Sequence, residues 1–377
     1  MAYKMKVSIL RPPIGIGGAE MSLTEMAVSL LRMNYDVWMH FDDGRNSTFD
    51  SFNKFGALKA RCSDDAKIFF HERSFDEEWA IKNLKDTDVA IVIHRHLFSK
   101  RLSDAVERVK KKIVYCPGKN EHHIYGFAKN TLQFGRNIVP DYFIFNSSHT
   151  LNLHLNKHYP ESLKQKFMHI HPPMDLEHYG NYDISILNKI GSNFVDKTTF
   201  NVGVFGRIIP SKRPNAVLDI AYKAKRDGLN IKFNFIGGGP LEEKIRQEII
   251  KKDLKDYVVV HGMQDDPFGY ICNMDCILHM CNHESLSRAI RESIFFKVPI
   301  VAFKGAGNLE LLTGSAAEFL FESEEEAYEM VCELYRKDTC KYDVNQVRDA
   351  MLNMEQQSLL DLANIIGIGD VSSRGSR

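Results

Sequence analysis

The sequence has 377 residues, of which 44% are hydrophobic and 26% are charged, a composition typical of a soluble globular protein. Lysine plus arginine equals aspartate plus glutamate at 49 each, which excludes a strongly basic chain, so we predict no nucleic-acid partner. No apolar run is long enough to span a membrane, and the N-terminal residues lack a signal-peptide core. Because the 7 cysteines are scattered and odd in number, we expect reduced thiols and a cytoplasmic protein.

Short apolar runs alternate with helical patterns along the whole chain. In the first half, the predicted strands are 6–10, 36–41, 67–71, 88–94, 112–116 and 141–145, and the predicted helices are 18–33, 76–84, 98–110 and 147–157. In the second half, the predicted strands are 200–205, 231–236, 257–260, 274–279, 299–303 and 318–321, and the predicted helices are 212–227, 240–252, 267–272, 286–296, 307–312 and 323–336. This alternation predicts an α/β fold of parallel sheets with helices on both faces.

The pattern restarts near residue 199, after a stretch at 171–180 that is rich in proline, histidine and glycine. We therefore predict two doubly wound, Rossmann-like domains of similar size. The predicted divisions are an N-terminal domain at 1–180, a linker at 181–198, a C-terminal domain at 199–342, a helix at 343–366 that crosses back to the first domain, and a disordered tail at 367–377.

The first candidate site is the glycine-rich stretch at 12–20, which lies between the first predicted strand and the first predicted helix. A glycine loop in this position is a common way of holding a phosphate. Gly15 and Gly17 fit the start of a dinucleotide fingerprint, but Glu20 stands where its third glycine belongs. The stretch alone leaves open a nicotinamide dinucleotide, a sugar nucleotide or a tight turn without a ligand.

The second candidate site follows the first strand of the C-terminal domain, where Gly206 and Arg207 are followed by Lys212 at the start of the next predicted helix. Ligands of open parallel sheets bind at the carboxyl ends of the strands. Gly206 lets the backbone turn there, and an arginine fork with a lysine point charge suits a diphosphate. The alternative is an exposed basic loop without a ligand.

The third candidate site holds two glutamates, Glu284 just before a predicted helix and Glu292 two turns inside it. Ser285 is the predicted N-cap, so the free N–H groups of Leu286 and Ser287 would attract an anion. Glu292 has apolar neighbours, so its carboxylate needs a partner, which a ribose would supply. Each glutamate taken alone would otherwise be a solvated helix residue.

Taken together, these stretches resemble glycosyltransferase family 4, whose members have the two-domain GT-B fold. They occur in the family's order, as the glycine loop ending at 17–20, the basic loop at 206–212 and the glutamate pair at 284–292. Lesser marks are 235–241, 260–263 and 297–302, followed by Gly305, Gly307 and Glu310. The resemblance is strong over the C-terminal domain, whereas in the first domain it is clear only near the start.

The resemblance implies a retaining glycosyltransferase whose two domains face a cleft and whose donor is a UDP-, GDP- or other nucleoside-diphosphate sugar. Arg207 and Lys212 would grip the donor diphosphate, Glu284 would hold the transferred sugar, and Glu292 would bind the donor ribose. The other implied donor-binding residues are Gly17, Gly18, Gly206, Gly238, Met263, Ser285, Leu286 and Ser287.

Two features depart from the family's pattern. Ser285 stands where the family usually has glycine. The family often has a histidine on the first domain's side of the cleft, for which we rank His94 first and His122 second. The alternatives that stay open are a non-catalytic relative that binds a nucleotide sugar and, with less support, an NAD-dependent oxidoreductase.

We predict no metal requirement and no bound cofactor. Asp86-Thr87-Asp88 has the letters of a metal-binding Asp-x-Asp motif, but it precedes its strand and is predicted to be a turn. The cysteines and histidines at 272–283 lack the paired spacing of structural zinc sites. These residues are Cys272, Cys276, His279, Cys281 and His283.

The acceptor side of the molecule carries a basic stretch at 100–112 and an aromatic stretch at 123–127. Both favour a glycan or lipid-linked acceptor, with a peripheral contact between 100–112 and the inner face of a membrane. The alternative for the basic stretch is a solvated helix face. The sequence leaves open the nucleobase, the sugar, the acceptor and the oligomeric state.

Overall fold

A computed structural model describes residues 4–10, 18–42, 67–71, 77–93, 99–116, 140–157, 159–191, 195–264, 266–305, 307–336 and 343–367. The chain divides into two compact units, Met1–Leu176 together with Met354–Arg377, and Glu177–Asn353. Each unit contains one parallel sheet flanked by helices, so the predicted doubly wound α/β architecture is confirmed.

The first unit is built on a sheet of seven parallel strands. They are β1 (Lys6–Leu10), β2 (Asp36–Asp42), β3 (Lys67–His71), β4 (Val89–Val92), β5 (Lys111–Cys116), β6 (Tyr142–Phe145) and β7 (Phe167–His169). Their order in the sheet is β3-β2-β1-β4-β5-β6-β7. In the part of this unit before residue 176, the described helices are α1 (Gly18–Arg32), α2 (Glu77–Leu84), α3 (Lys100–Glu107), α4 (Ser148–Leu155) and α5 (Glu161–Lys164).

Strand β1 shows why the predicted strands are rich in apolar residues. It lies between β2 and β4, and Val7 is in register with residues of both neighbours. Successive side chains of a strand point to opposite faces. Val7 and Ile9 therefore enter one hydrophobic cluster, whereas Leu10 enters a second cluster with Val92. Because both faces of the strand are buried, apolar side chains occur on both of them.

The second unit is built on six parallel strands. They are β8 (Phe200–Phe205), β9 (Ile231–Ile236), β10 (Val258–Gly262), β11 (Cys276–His279), β12 (Ile300–Phe303) and β13 (Leu320–Phe321), in the order β10-β9-β8-β11-β12-β13. Its helices among the described residues are α6 (Leu176–Gly180), α7 (Ile184–Gly191), α8 (Pro214–Arg226), α9 (Glu242–Lys251), α10 (Phe268–Ile271), α11 (Arg288–Phe295), α12 (Asn308–Leu311) and α13 (Glu324–Arg336). The strand order reverses between β8 and β11, so the loops after these two strands lie side by side.

The stretch at 181–198, predicted to be a linker, belongs to the second unit. It contains α7, which contacts α10. Leu187 of α7 is buried, and Asn273 donates a hydrogen bond from Nδ2 to the Leu187 carbonyl at 3.2 Å. Leu187 therefore joins α7 to the second unit, although the sequence around it shows little periodicity.

The last helix, α14 (Val344–Ile366), contributes to both units. Its residues up to Asn353 belong to the second unit, and those from Met354 belong to the first. Leu362 and Ile366 join the hydrophobic cluster that also contains Val7 and Ile9. The end of the chain's last helix therefore completes the core of the first unit.

Part of the basic stretch at 100–112 is engaged within the first unit. The guanidinium of Arg101 pairs with Glu78 at 2.6 Å, and Lys110 lies 3.5 Å from Asp88. Lys112 is buried and donates from Nζ to the Val109 carbonyl at 3.1 Å. Lys111 donates from Nζ to the Ile365 carbonyl at 2.7 Å. Lys112 therefore binds the segment that follows α3, and Lys111 binds the C-terminal end of α14.

The Asp-x-Asp letters at 86–88 form a turn before β4, as predicted. The Lys6 amide donates to Asp88 Oδ2 at 2.9 Å, and the hydroxyls of Thr87 and Ser8 are 2.7 Å apart. Both side chains therefore join the turn to β1. Within the described part of the chain, the helices are all too short or too polar to cross a membrane.

Candidate active site

The loop after β8 is built around Gly206, whose φ of 123° lies in the region that favours glycine. A 3₁₀ segment at Pro210–Lys212 follows, and α8 begins at Pro214. Lys212 therefore lies before the helix, whereas the sequence predicted it as the first helical residue. The reason is that proline favours the first helical position, while Arg213 before it has a left-handed φ of 49°.

Two neighbouring loops pack against this one. A Cβ on Gly237 would lie 2.1 Å from the Gly206 carbonyl oxygen, so the loop after β9 requires glycine at this crossing. A Cβ on Gly238 would lie 3.7 Å from Met263 Cβ, and Met263 is 42% exposed. Gly206, Gly238 and Met263, all predicted from the sequence, therefore meet at the carboxyl ends of β8, β9 and β10.

The loop after β11 places Glu284 against Lys212. Lys212 Nζ donates a hydrogen bond to Glu284 Oε2, and each side chain is 25% exposed. The two residues come from loops at the point where the strand order reverses, which is the usual ligand site of an open parallel sheet. The exposed Arg207 lies on the same β8 loop as Lys212.

Both members of this pair are charged at neutral pH. Burial on its own raises the pKa of Glu284 and lowers the pKa of Lys212. Their mutual attraction outweighs burial, so the pKa of Glu284 lies below its ordinary value and that of Lys212 above it. A cation and an anion therefore lie together at the carboxyl ends of β8 and β11.

The helix after Glu284 begins later than the sequence predicted. Ser287, not Ser285, is the N-cap of α11, and its Oγ accepts a hydrogen bond from the Ile290 amide at 3.4 Å. Leu286 therefore precedes the cap and is not part of the helix start. The reason is tertiary, since the Gly307 amide donates to the Glu284 carbonyl at 3.0 Å and holds that segment in a loop.

Glu292 has protein partners that the sequence did not reveal. Its side chain is buried, and Oε1 accepts hydrogen bonds from Arg288 Nη2 at 2.6 Å and from the Tyr179 hydroxyl at 3.3 Å. Arg288 Nη2 also donates to the Tyr179 oxygen at 2.8 Å. The carboxylate therefore has partners within the protein, of which Tyr179 lies far away in sequence, and its predicted contact with a donor ribose stays a prediction.

His279 and Cys281 lie beside Glu284, although neither was predicted from the sequence as a residue of this site. His279 Nε2 lies 3.8 Å from Glu284 Oε2, and the Cys281 thiol lies within 4.8 Å of a ligand atom of each of these two residues. Of the cysteine and histidine group at 272–283, these two come together with Glu284, whereas Cys272 and Cys276 join no such cluster of described residues. Their only sequence signal is a histidine and a cysteine within an apolar strand and its continuation.

The unit that contains this site is similar in sequence to a known family of enzymes. Residues 199–337 match the family model "Glycosyl transferases group 1". The matched region contains the loops after β8 and β11, and with them Lys212 and Glu284. Residues 199–337 are thus similar to a group 1 glycosyl transferase domain.

One curated relative is poly(ribitol-phosphate) alpha-N-acetylglucosaminyltransferase of Staphylococcus aureus strain COL, which is 26% identical over 102 residues. The alignment covers 27% of this chain and 21% of that protein, so it spans about a fifth of the relative's length.

Two solved structures are similar to almost the whole chain. Anabaena HepE in complex with UDP is 16% identical with a TM-score of 0.70, covering 96% of this chain and 100% of that one. The pneumococcal O-GlcNAc transferase GtfA in complex with UDP and GlcNAc is 12% identical with a TM-score of 0.74, covering 97% and 99%. These structural likenesses show the GT-B fold.

Gly17, His94 and His122 lie outside the described residues. Gly18 is the first residue of α1. Their roles toward the group 1 glycosyl transferase domain remain predictions.

The buried His279 predicts a pH dependence of stability. Burial, with repulsion from Lys212, lowers the pKa of His279 from 6.5 to about 3. Between these values the unfolded chain binds a proton that the folded chain does not, so stability falls as the pH drops through this range. In His279→Gln, the midpoint of thermal unfolding should fall less between about pH 7 and about pH 4.5 than in the wild type.

Calorimetric scans at matched pH values check this expectation. Some acid sensitivity should remain in the variant, because burial also lowers the pKa of His154 to about 4. Equal acid sensitivity in His279→Gln and wild type would show that His279 is not held neutral.

Proposed function

We propose that the chain is a retaining glycosyltransferase that moves a sugar from a nucleoside-diphosphate sugar to a glycan or lipid-linked acceptor, in polysaccharide or glycoconjugate biosynthesis. The observation that carries this proposal is the Lys212–Glu284 pair, which lies at the strand-order reversal of the group 1 glycosyl transferase domain. A cation and a carboxylate at the carboxyl ends of neighbouring strands can bind the two halves of such a donor separately, the diphosphate and the sugar.

The donor would rearrange this ion pair. The diphosphate is a stronger anion than one carboxylate and would draw Lys212 away from Glu284 Oε2, with Arg207 as its second cation. The carboxylate of Glu284 is then released to accept hydrogen bonds from hydroxyls of the transferred sugar. Among the described residues, the two side chains that donate to Glu292 both reach Oε1, so we assign Oε2 to the donor ribose.

The proposed transfer keeps the configuration of the sugar. The bond between the anomeric carbon and the diphosphate oxygen breaks, and the acceptor oxygen bonds to the same face of that carbon. The acceptor proton passes to a phosphate oxygen of the leaving group. Arg207 and Lys212 stabilise the negative charge that develops on the departing diphosphate, the role a metal ion has in other transferases.

The remaining donor contacts follow from the resemblance. The loops at Gly206, Gly238 and Met263 would border the nucleotide, while Ser285, Leu286 and Ser287 would border the sugar and phosphates. Gly17 and Gly18 would approach the diphosphate from the N-terminal domain, and His94 would face the acceptor. HepE and GtfA are both described in complex with UDP, which favours a UDP sugar as the first donor to test.

A thermal-shift panel tests the proposal. We expect UDP or GDP to raise the midpoint of unfolding, and NAD to leave it unchanged. A ligand at a hundred times its Kd stabilises a folded protein by about 2.7 kcal/mol, which is a shift of several degrees. Stabilisation by NAD alone would favour the oxidoreductase alternative. Binding of nucleotide sugars without transfer of any sugar would indicate a non-catalytic relative.

The proposed membrane contact of 100–112 has its own test. Lys100 and Arg108 are exposed, while other cations of the stretch are engaged within the first unit. We expect sedimentation with vesicles containing anionic lipid to fall when Lys100 and Arg108 are both changed to Glu, and to stay unchanged in a control with Lys251→Glu on α9. Sedimentation of wild type that is equal with neutral and anionic vesicles would contradict the contact.

A further inference from the structure

Three side chains at the end of β11 form a group that the proposed transfer does not fully use. We name the residues His279, Cys281 and Glu284 the β11 cluster. One nitrogen, sulfur or oxygen atom from each lies within 4.8 Å of the corresponding atoms of the other two. Atoms this close can share one ion, since zinc lies about 2.0–2.3 Å from nitrogen, oxygen and sulfur ligands.

The imidazole of His279 is the member that points to a ligand. The side chain is 4% exposed, and its buried Nε2 has no hydrogen-bond partner among the described residues. Buried polar atoms are rarely left unsatisfied, because each one loses its hydrogen bonds to water without replacement. This nitrogen lies 3.8 Å from Glu284 Oε2, so it is directed into the cluster.

We infer that the β11 cluster binds a zinc ion through His279 Nε2, Cys281 Sγ and the Glu284 carboxylate. An imidazole, a thiol and a carboxylate are the ligand types that zinc takes, whereas magnesium and calcium prefer oxygen ligands throughout. Three protein ligands leave a fourth tetrahedral position for water. This ion is a ligand of the pocket and not a cofactor of the transfer.

Lys212 opposes the ion. Its ammonium already occupies Glu284 Oε2, and a second cation at the carboxylate is repelled. Binding therefore breaks the Lys212–Glu284 hydrogen bond, forms a zinc–sulfur bond, and releases the thiol proton of Cys281 to solvent. Removal of the Lys212 charge is expected to tighten metal binding, the opposite of its expected effect on a diphosphate.

Zinc and the donor sugar would compete for Glu284. Zinc inhibition of transfer rests on the proposed function, whereas zinc binding itself does not. The test therefore measures binding directly, so that failure of the site and failure of the proposed transferase activity are distinguishable.

The experiment is a titration of the full chain with Co²⁺, whose bond to a thiolate gives a charge-transfer absorption band. We expect this band in wild type and in Cys272→Ser, a control thiol outside the cluster, and we expect added Zn²⁺ to abolish it. Cys281→Ser should lose the band. His279→Gln should keep it with an affinity lower by about tenfold or more, and Lys212→Met should bind Co²⁺ more tightly than wild type.

Absence of the band in wild type overturns the proposal. A band that survives in Cys281→Ser does so as well, since the thiolate would then come from another cysteine. If Cys281→Ser does not fold, the Co²⁺ affinity of His279→Gln tests the proposal instead. A Co²⁺ affinity equal to that of wild type in this variant overturns the site.

Discussion

Replacement of Lys212 by methionine is expected to weaken UDP binding by about tenfold to a hundredfold. Methionine keeps the length of the side chain but removes the ammonium, and a hydrogen bond to a charged group contributes about 1.5–3 kcal/mol. The carboxylate of Glu284 is left without its cation beside the diphosphate, which adds repulsion. Isothermal titration calorimetry with UDP measures the effect.

Two further variants make this prediction specific. Glu284→Gln removes the anion that competes for Lys212, so UDP should bind as tightly as in wild type or more tightly, although transfer should collapse. Lys225→Met is the control, because Lys225 pairs with Asp253 at 2.6 Å on the surface of the same unit. Its UDP affinity should equal that of wild type. UDP affinity in Lys212→Met equal to that of the control would contradict the assignment of Lys212.

Replacement of Gly307 by alanine is expected to have the largest effect on stability. A Cβ at this position would lie 1.6 Å from the Ser285 carbonyl oxygen and 2.4 Å from its carbon. Both contacts are with backbone, so the segment that carries Glu284 must move. We expect the free energy of unfolding of the second unit to fall by about 3 kcal/mol, with loss of UDP binding in whatever remains folded.

Gly305→Ala is the matched control for this change. Its Cβ would meet the Phe303 ring at 3.4 Å, an ordinary contact, and it lies on the same loop. Scanning calorimetry should give an unfolding midpoint near that of wild type for Gly305→Ala and a markedly lower one for Gly307→Ala. Equal midpoints for the two variants would show that the loop after β11 adapts to a side chain at 307, against the account given for Glu284.

The architecture was predictable because strands buried on both faces carry short runs of mainly apolar residues. β1 and β8 were located to the residue for this reason. β7 was missed, since its three residues at a sheet edge give no period to recognise. The helix α7 was taken for a linker because its sequence shows little periodicity: Leu187 is buried, whereas Ile184 and Ile186 are exposed.

The positions of the candidate site residues were predictable where each residue directly follows a predicted strand. Gly206, Arg207, Lys212 and Glu284 follow strand ends, and the strand order then brings the last two together. Features set by distant contacts were not predictable. The choice of Ser287 over Ser285 as the cap depends on a loop around Gly307, which no local pattern encodes.

The Tyr179 contact of Glu292 has the same origin, because it joins segments that are separated in the sequence and a spacing rule sees only one partner. The cluster around His279 lies within residues 279–284, but the sequence does not show that these three side chains point to one place. Lys212 illustrates a smaller error, in which a proline two residues later delayed the start of the helix.

The most direct test of the central claim is release of nucleoside diphosphate from a panel of nucleotide sugars, measured side by side for wild type, Arg207→Ala and Lys212→Met. We predict that wild type releases the diphosphate from at least one UDP or GDP sugar, and that each variant, while remaining folded, is slower by a factor on the order of 10²–10³. Near-wild-type rates in either variant, or no release from any nucleotide sugar by wild type, would contradict the account.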